Sequence, residues 1–494
     1  MKIGFDNKKY IELQTKAILD RSKKFSGKLY MEVGGKIFDD LHASRVLPGF
    51  EPDAKIKVLQ ALKDKCEIVF VISSNDIENH KVRADFSITY DDDLLRQIDS
   101  LRRVGLYVSS VVITLFKGQP RAAAFAEKLK RLGEKVYIHT PTKGYPSDIA
   151  KIVSDEGYGA NPYIETTKPV VIVTAPGPGS GKLATCLSQL YHENKRGVKA
   201  GYAKFETFPI WNLDLKHPVN IAYEAATADL KDINMIDSFH LEAYNKIAVN
   251  YNRDLECFPV LQNILTTITG NSKFYMSPTD MGVNMAGFAI TNDKIVRAAA
   301  KNEIIRRYQK AKVDYKMGTA GKDVADRIEM LMSHMGITTQ DRAVVEYARK
   351  AQNTTDFELI SLELEDGQIV YGKQKSLLTS GAAVVLNALK TLAKIDDHLE
   401  LIPEHILLPV KTLKETTFNM QGGQLTLKDA LLALAVSSSI NPVAKLALGK
   451  LVELKNCEAH STCILDKNEE QTLKELGIRI TCEPKFASSN LYKV

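Results

Sequence analysis

The apolar positions in the first half of the chain fall into short blocks separated by amphipathic stretches. Ile68-Val-Phe-Val-Ile-Ser73, Ser110 to Leu115 and Lys135-Val-Tyr-Ile-His139 are apolar, β-branched runs, the pattern of strands buried on both faces. Between the last two, Ala124, Phe125, Leu129 and Leu132 recur at helical spacing and end at Gly133, and Ala54 to Lys65 carries the same period. A second group opens at Pro169-Val-Val-Ile-Val-Thr-Ala175, continues as a helix from Lys182 to Asn194, and returns as a strand at Lys199 to Phe205. Alternation of this length predicts mostly parallel sheets flanked by helices. The segment from Thr140 to Pro169, rich in Gly, Pro and Tyr, connects the two groups.

After Asp237 the pattern becomes mainly helical, with helices expected at Asp293–Val313, Lys322–Met335, Gln340–Gln352, Ser380–Ile395 and Lys428–Leu451, the last interrupted at Asn441-Pro442. A hairpin is expected over Phe357–Gln374, turning at Glu365-Asp-Gly-Gln368. The end reads as a strand (Ser461–Leu465), a helix (Asp466–Leu476) and a strand (Arg479–Cys482), with Asp466 and Glu469 as a capping box. The expected class is therefore α/β: a Rossmann-like unit at 1–160, a phosphate-loop-like unit at 161–290, and a helical and α+β part at 291–494.

Composition narrows the function classes. A chain of 494 residues with 44% hydrophobic and 26% charged residues is globular and long enough for several cores. The 66 basic and 60 acidic residues are interspersed, which argues against a nucleic-acid surface. The N-terminus lacks the apolar stretch of a signal peptide and no window is apolar enough for a membrane span, so a cytoplasmic protein is expected; a homo-oligomer is compatible. Six cysteines without a CxxC pair are expected as free thiols. Cys457-Glu-Ala-His460-Ser-Thr-Cys463 has metal-binding residue types at a spacing unlike common zinc motifs, and no metal site is expected.

The richest chemistry lies in Thr174-Ala-Pro-Gly-Pro-Gly-Ser-Gly-Lys-Leu-Ala-Thr185, between an expected strand and an expected helix. Gly177, Gly179 and Gly181 let backbone amides approach phosphate oxygens, Ser180 adds a hydroxyl, and the helix directs its free N–H groups and dipole at the same point. Lys182 would face the outer phosphate. The loop departs from the Walker pattern twice: Pro176 stands where glycine is usual, and Leu183 where a Ser or Thr would bind Mg²⁺. A glycine-rich turn without a ligand is the plainer alternative. Two polar loops offer further binding groups: Asn252, Arg253 and Asp254, with Arg253 suited to bidentate contact, and Thr279, Asp280 and Asn284. Helix capping is the plainer reading of each loop alone, and two such loops in one region point toward a pocket.

From Gly197 to Glu206 the chain reads Gly-Val-Lys-Ala-Gly-Tyr-Ala-Lys-Phe-Glu. With the preceding loop and helix, it resembles the dethiobiotin-synthetase-like branch of phosphate-loop enzymes. That resemblance implies that Lys204 faces substrate and phosphate, with Glu206 beside it. Over its whole length the chain resembles the bacterial "domain of unknown function 1846" family, through Tyr30-Met-Glu-Val-Gly-Gly-Lys36, His42 to Phe50, Ala175 to Lys182 and Ser277 to Asn284. This second resemblance implies no activity. The residues point to an enzyme of the kinase or ligase type, binding a nucleotide (ATP with Mg²⁺) or another small phosphorylated molecule. Lys182, Lys204 and Glu206 would carry catalysis; a non-catalytic sensor of a phosphorylated metabolite is the alternative.

Overall fold

The computed structural model of the chain describes residues 3–25, 27–38, 40–83, 88–353, 357–419 and 423–488. The chain divides into two compact units, Lys2–Ala300 and Lys301–Val494. The first is built on a seven-stranded sheet of β1 (Lys28–Val33), β2 (Cys66–Ser73), β3 (Val108–Thr114), β4 (Val136–Ile138), β5 (Val170–Thr174), β6 (Ala200–Phe205) and β7 (Gly282–Val283). Their spatial order is β7-β6-β1-β5-β2-β3-β4, and every pairing is parallel. Every residue of β2, β3 and β5 is buried. Helices flank the sheet, which is why these strands read as near-continuous apolar runs.

One expectation needs correction. The segments 1–160 and 161–290 do not make separate sheets: β5 lies between β1 and β2, and β6 lies on the other side of β1. The Gly- and Pro-rich stretch before β5 returns the chain to the middle of the first group of strands. Close approach fixes this interleaving, as at Gly201 in β6, where a Cβ would stand 2.1 Å from the Phe25 ring.

The unit from Lys301 onward packs its own apolar cluster, including Leu362, Val385, Leu389, Leu434 and Ala459. Its four-stranded sheet joins β8 (Leu359–Glu363), β9 (Ile369–Lys373), β10 (Glu458–Ser461) and β11 (Arg479–Cys482) in the order β9-β8-β10-β11. The β8/β9 hairpin turns through Gly367 at φ +88°. Here β10 lies three residues before the strand expected at Ser461–Leu465. Its polar sequence hid it, because Glu458 is held inside the unit by Arg306 (2.6 Å) and Arg342 (2.8 Å). Burial pushes Glu458 up, but the attraction of Arg306, Arg342 and Arg479 outweighs it and holds the carboxyl at about 2. The expected capping box at Asp466 is half made. Asp466 accepts from the amides of Asn468 and Glu469, whereas the Glu469 carboxylate accepts from the Thr379 hydroxyl and the Leu427 amide. All six cysteines are free, and no helix among the described residues is long and apolar enough to cross a membrane.

Candidate functional site

In a parallel sheet, ligands bind outside the carboxyl ends of strands where successive crossovers leave in opposite directions. Here the chain leaves β1 toward β2 and leaves β5 toward β6, so the switch point lies between neighbouring β1 and β5. The glycine loop sits there, between β5 and the 14-residue helix Lys182–Lys195.

The three loop glycines have different reasons to be glycine. A Cβ on Gly177 would lie 2.3 Å from the Tyr90 ring. Gly181 caps the helix at φ +88° beside Thr114, whose hydroxyl donates to the Ser180 carbonyl at 2.6 Å. Gly179, at φ +71°, has nothing among the described residues within 4 Å of a Cβ position, so its side of the loop is open to them. Ser180 is 2% exposed, and its Oγ has no hydrogen-bond partner among the described residues. Lys182 is half-buried and forms no ion pair among them. A buried hydroxyl without a partner is costly.

Beyond the helix start is a cavity of about 180 Å³ lined by residues including Leu183, Lys204, Asp254, Phe258, Leu261 and Met281. Lys204 comes from the end of β6, and Asp254 from the first turn of the helix Asn252–Thr269. Their Nζ–Oδ1 distance is 3.0 Å, and Lys204 is 3.9 Å from Glu206. Glu32 of β1 stands opposite Lys204 in the sheet register and accepts from the Tyr202 hydroxyl. Burial pulls the Lys204 ammonium down, but Asp254, Glu206 and Glu32 outweigh it and hold the group above its usual value. Burial pushes Glu206 up and Lys204 draws it back; with Asp254 and Glu32 adding to the rise, it reaches about 7. Such a carboxyl exchanges protons near neutrality, as a general acid or base must.

The Glu206 shift has a direct consequence for stability. Its carboxyl is a stronger proton acceptor folded than unfolded, so between pH 4.5 and about 7 the folded chain holds the extra proton. The Glu206 contribution to stability is therefore fully present below pH 4.5 and lost as pH rises through 7, by on the order of 3 kcal/mol. Denaturant unfolding from pH 4.5 to 8 should show wild type losing stability relative to Glu206→Gln as pH rises. Parallel profiles would mean that Glu206 titrates normally.

The other expected binding residues are placed less centrally. Arg253 lines the cavity, with Nη2 3.3 Å from Asp232. Asn252 accepts from the Ile233 amide, and Thr279 donates to Asp237 at 2.6 Å. Asp280 accepts from the Tyr244 hydroxyl and the Met276 amide. Asn284 bonds the carbonyls of Thr207 and Pro209 and the Ala286 amide. These four side chains secure the loops around the cavity, while Lys204, Arg253 and Asp254 meet at it. Glu32 had a readable signal: it is a carboxylate inside the otherwise apolar strand Leu29-Tyr-Met-Glu-Val33.

The chain matches domain of unknown function DUF1846, its N-terminal part at residues 3–336 and its C-terminal part at residues 340–492. It is 56% identical over 500 residues to a UPF0371 protein of Clostridioides difficile (strain 630), covering 100% of both chains. A UPF0371 protein of Clostridium botulinum (strain Kyoto / Type A2) is likewise 56% identical, with 100% of this chain and 99% of that one covered.

Proposed function

Because the chain belongs to the DUF1846 family, whose description carries no activity, we propose its function from the site: it binds a small phosphorylated molecule at Gly177–Lys182 and catalyses phosphoryl transfer. The observation that carries this reading is that, among the described residues, Lys182 has no ion pair and the buried Ser180 hydroxyl no partner. Both stand at the start of a helix whose amides and dipole favour an anion. The Gly197–Glu206 stretch, similar to its counterpart in dethiobiotin-synthetase-like enzymes, supports the same reading. In a phosphoryl transfer the acceptor oxygen bonds phosphorus as the bond to the leaving oxygen breaks. Lys182 and the loop amides face the charge on the transferred group, and Glu206 takes the acceptor's proton. Lys204 and Asp254 orient the organic part of the phosphorylated molecule.

Magnesium at the loop does not fit the donor set. Leu183 occupies the position where a hydroxyl would reach the metal, and its side chain lines the cavity. The same leucine favours the second reading, a non-catalytic sensor, while the Lys204–Glu206–Asp254 cluster favours an enzyme.

Gly179→Val tests the site. A Cβ there meets no atom of the described residues within 4 Å, although a side chain at φ +71° is strained and lowers the starting melting temperature. Inorganic phosphate, compared with chloride at equal ionic strength, should stabilise wild type by about 2.7 kcal/mol at one hundred times its dissociation constant. The variant should gain only the smaller, non-specific increment. Equal gains in the two proteins would show that phosphate acts elsewhere.

A further inference from the structure

The proposed phosphate loop and the cavity are adjacent in the chain, Lys182 belonging to one and Leu183 to the other. A molecule held by its phosphate at the first would place its organic part against the second. The cavity is about 180 Å³, below the roughly 300 Å³ at which pockets for drug-sized ligands begin. Its wall is mostly apolar, from Leu183, Phe258, Leu261, Pro278 and Met281, with Arg253 and the Lys204–Asp254 pair as its charged groups. The residue that would complete a magnesium–triphosphate site is itself one of the apolar walls.

Resting on the proposed phosphate reading, we infer that the ligand is a compact phosphate monoester whose partly apolar carbon skeleton fills this cavity, and not a magnesium-bound nucleoside triphosphate. The Lys204–Asp254 pair can donate to one polar substituent on that skeleton and accept from another. Leu183 supplies apolar contact where a triphosphate site needs a metal-binding hydroxyl. A nucleoside would leave its base outside the cavity, gaining no burial there.

Cys257 allows this to be tested on the intact chain. It lines the same cavity and is the one exposed cysteine, the other five being buried. N-ethylmaleimide should therefore label Cys257 and fill the cavity without a mutation. Calorimetric titrations of the full chain would compare inorganic phosphate, n-butyl phosphate, glycerol 3-phosphate, AMP, and ATP with magnesium. At least one of the two compact esters should bind roughly tenfold or more tighter than inorganic phosphate, since each buried methylene strengthens binding about fourfold. AMP and ATP should bind no tighter than phosphate. Labelling should abolish the ester's advantage and leave phosphate affinity unchanged.

Nucleotides binding tighter than both esters would overturn the inference while leaving the loop as a phosphate site. An ester advantage that survives labelling would equally overturn it, by placing the skeleton elsewhere. Loss of inorganic phosphate on labelling would contradict a phosphate held outside the cavity. If none of the five probes binds, the phosphate reading itself falls, and the inference with it.

Discussion

Replacing Lys204 by Ala should destabilise the N-terminal unit by about 3–5 kcal/mol, lowering its melting temperature by roughly 5–10 °C. Lys204 Nζ is 3.0 Å from Asp254 and 3.9 Å from Glu206, with side chains only 17–22% exposed, and the Glu32 carboxylate acts on the same ammonium. Removing the ammonium leaves these carboxylates facing one another in poorly solvated surroundings, where like charges repel strongly. The cheapest relief is protonation of Glu206, which already holds its proton up to about pH 7. The damage should therefore be smaller at pH 5.5 than at pH 8. Adding Asp254→Asn to the variant should restore part of the stability by removing one unpaired charge. Thermal unfolding of the single and double variants at both pH values measures this. A Lys204→Ala protein as stable as wild type at pH 8 would show that the cluster is well hydrated, and Glu206 would lose its claim to a raised proton affinity.

This charge cluster marks the limit of what could be read along the chain. Lys204 and Glu206 were legible as ionisable groups at a strand end. Their partner Asp254 stood among residues whose types suit both a binding loop and a helix cap. Asn252, Thr279, Asp280 and Asn284 are indistinguishable from Asp254 on that evidence, yet their hydrogen bonds hold backbone and neighbouring side chains. Capping and ligand binding use the same donors and acceptors, so only the fold separates them. The loop glycines teach the same lesson. Gly177, Gly179 and Gly181 suggested one shared role in cradling phosphate, but Gly177 makes room for Tyr90, Gly181 turns the chain into the helix, and Gly179 alone has an open flank.

For the fold, the strands with both faces covered were the easiest to find, because burial on both sides favours apolar residues at most positions. β2, β3 and β5 lie within about two residues of their expected places. The order in which they pair was not legible. A strand's neighbours depend on contacts such as Gly201 against Phe25, between segments far apart in the chain. β10 was missed for the opposite reason. Glu458 and His460 look like surface residues until Arg306, Arg342, Thr481 and Glu483 are brought around them.

The central claim is that the loop between β5 and its helix holds a phosphate, and Lys182 tests it most directly. Its ammonium forms no ion pair among the described residues, so replacing it by Ala breaks no salt bridge to them and should leave the melting temperature within about 0.5 kcal/mol of wild type in free-energy terms. With phosphate bound, the same substitution removes a charge-assisted hydrogen bond worth about 1.5–3 kcal/mol, or roughly 10- to 150-fold in affinity. Titration calorimetry of inorganic phosphate into wild type and Lys182→Ala, at one pH and ionic strength, should find wild type binding at a single site and the variant weakened by that factor. Equal phosphate affinities, or no binding by wild type, would contradict the account and reduce Gly177–Lys182 to a turn between a strand and a helix.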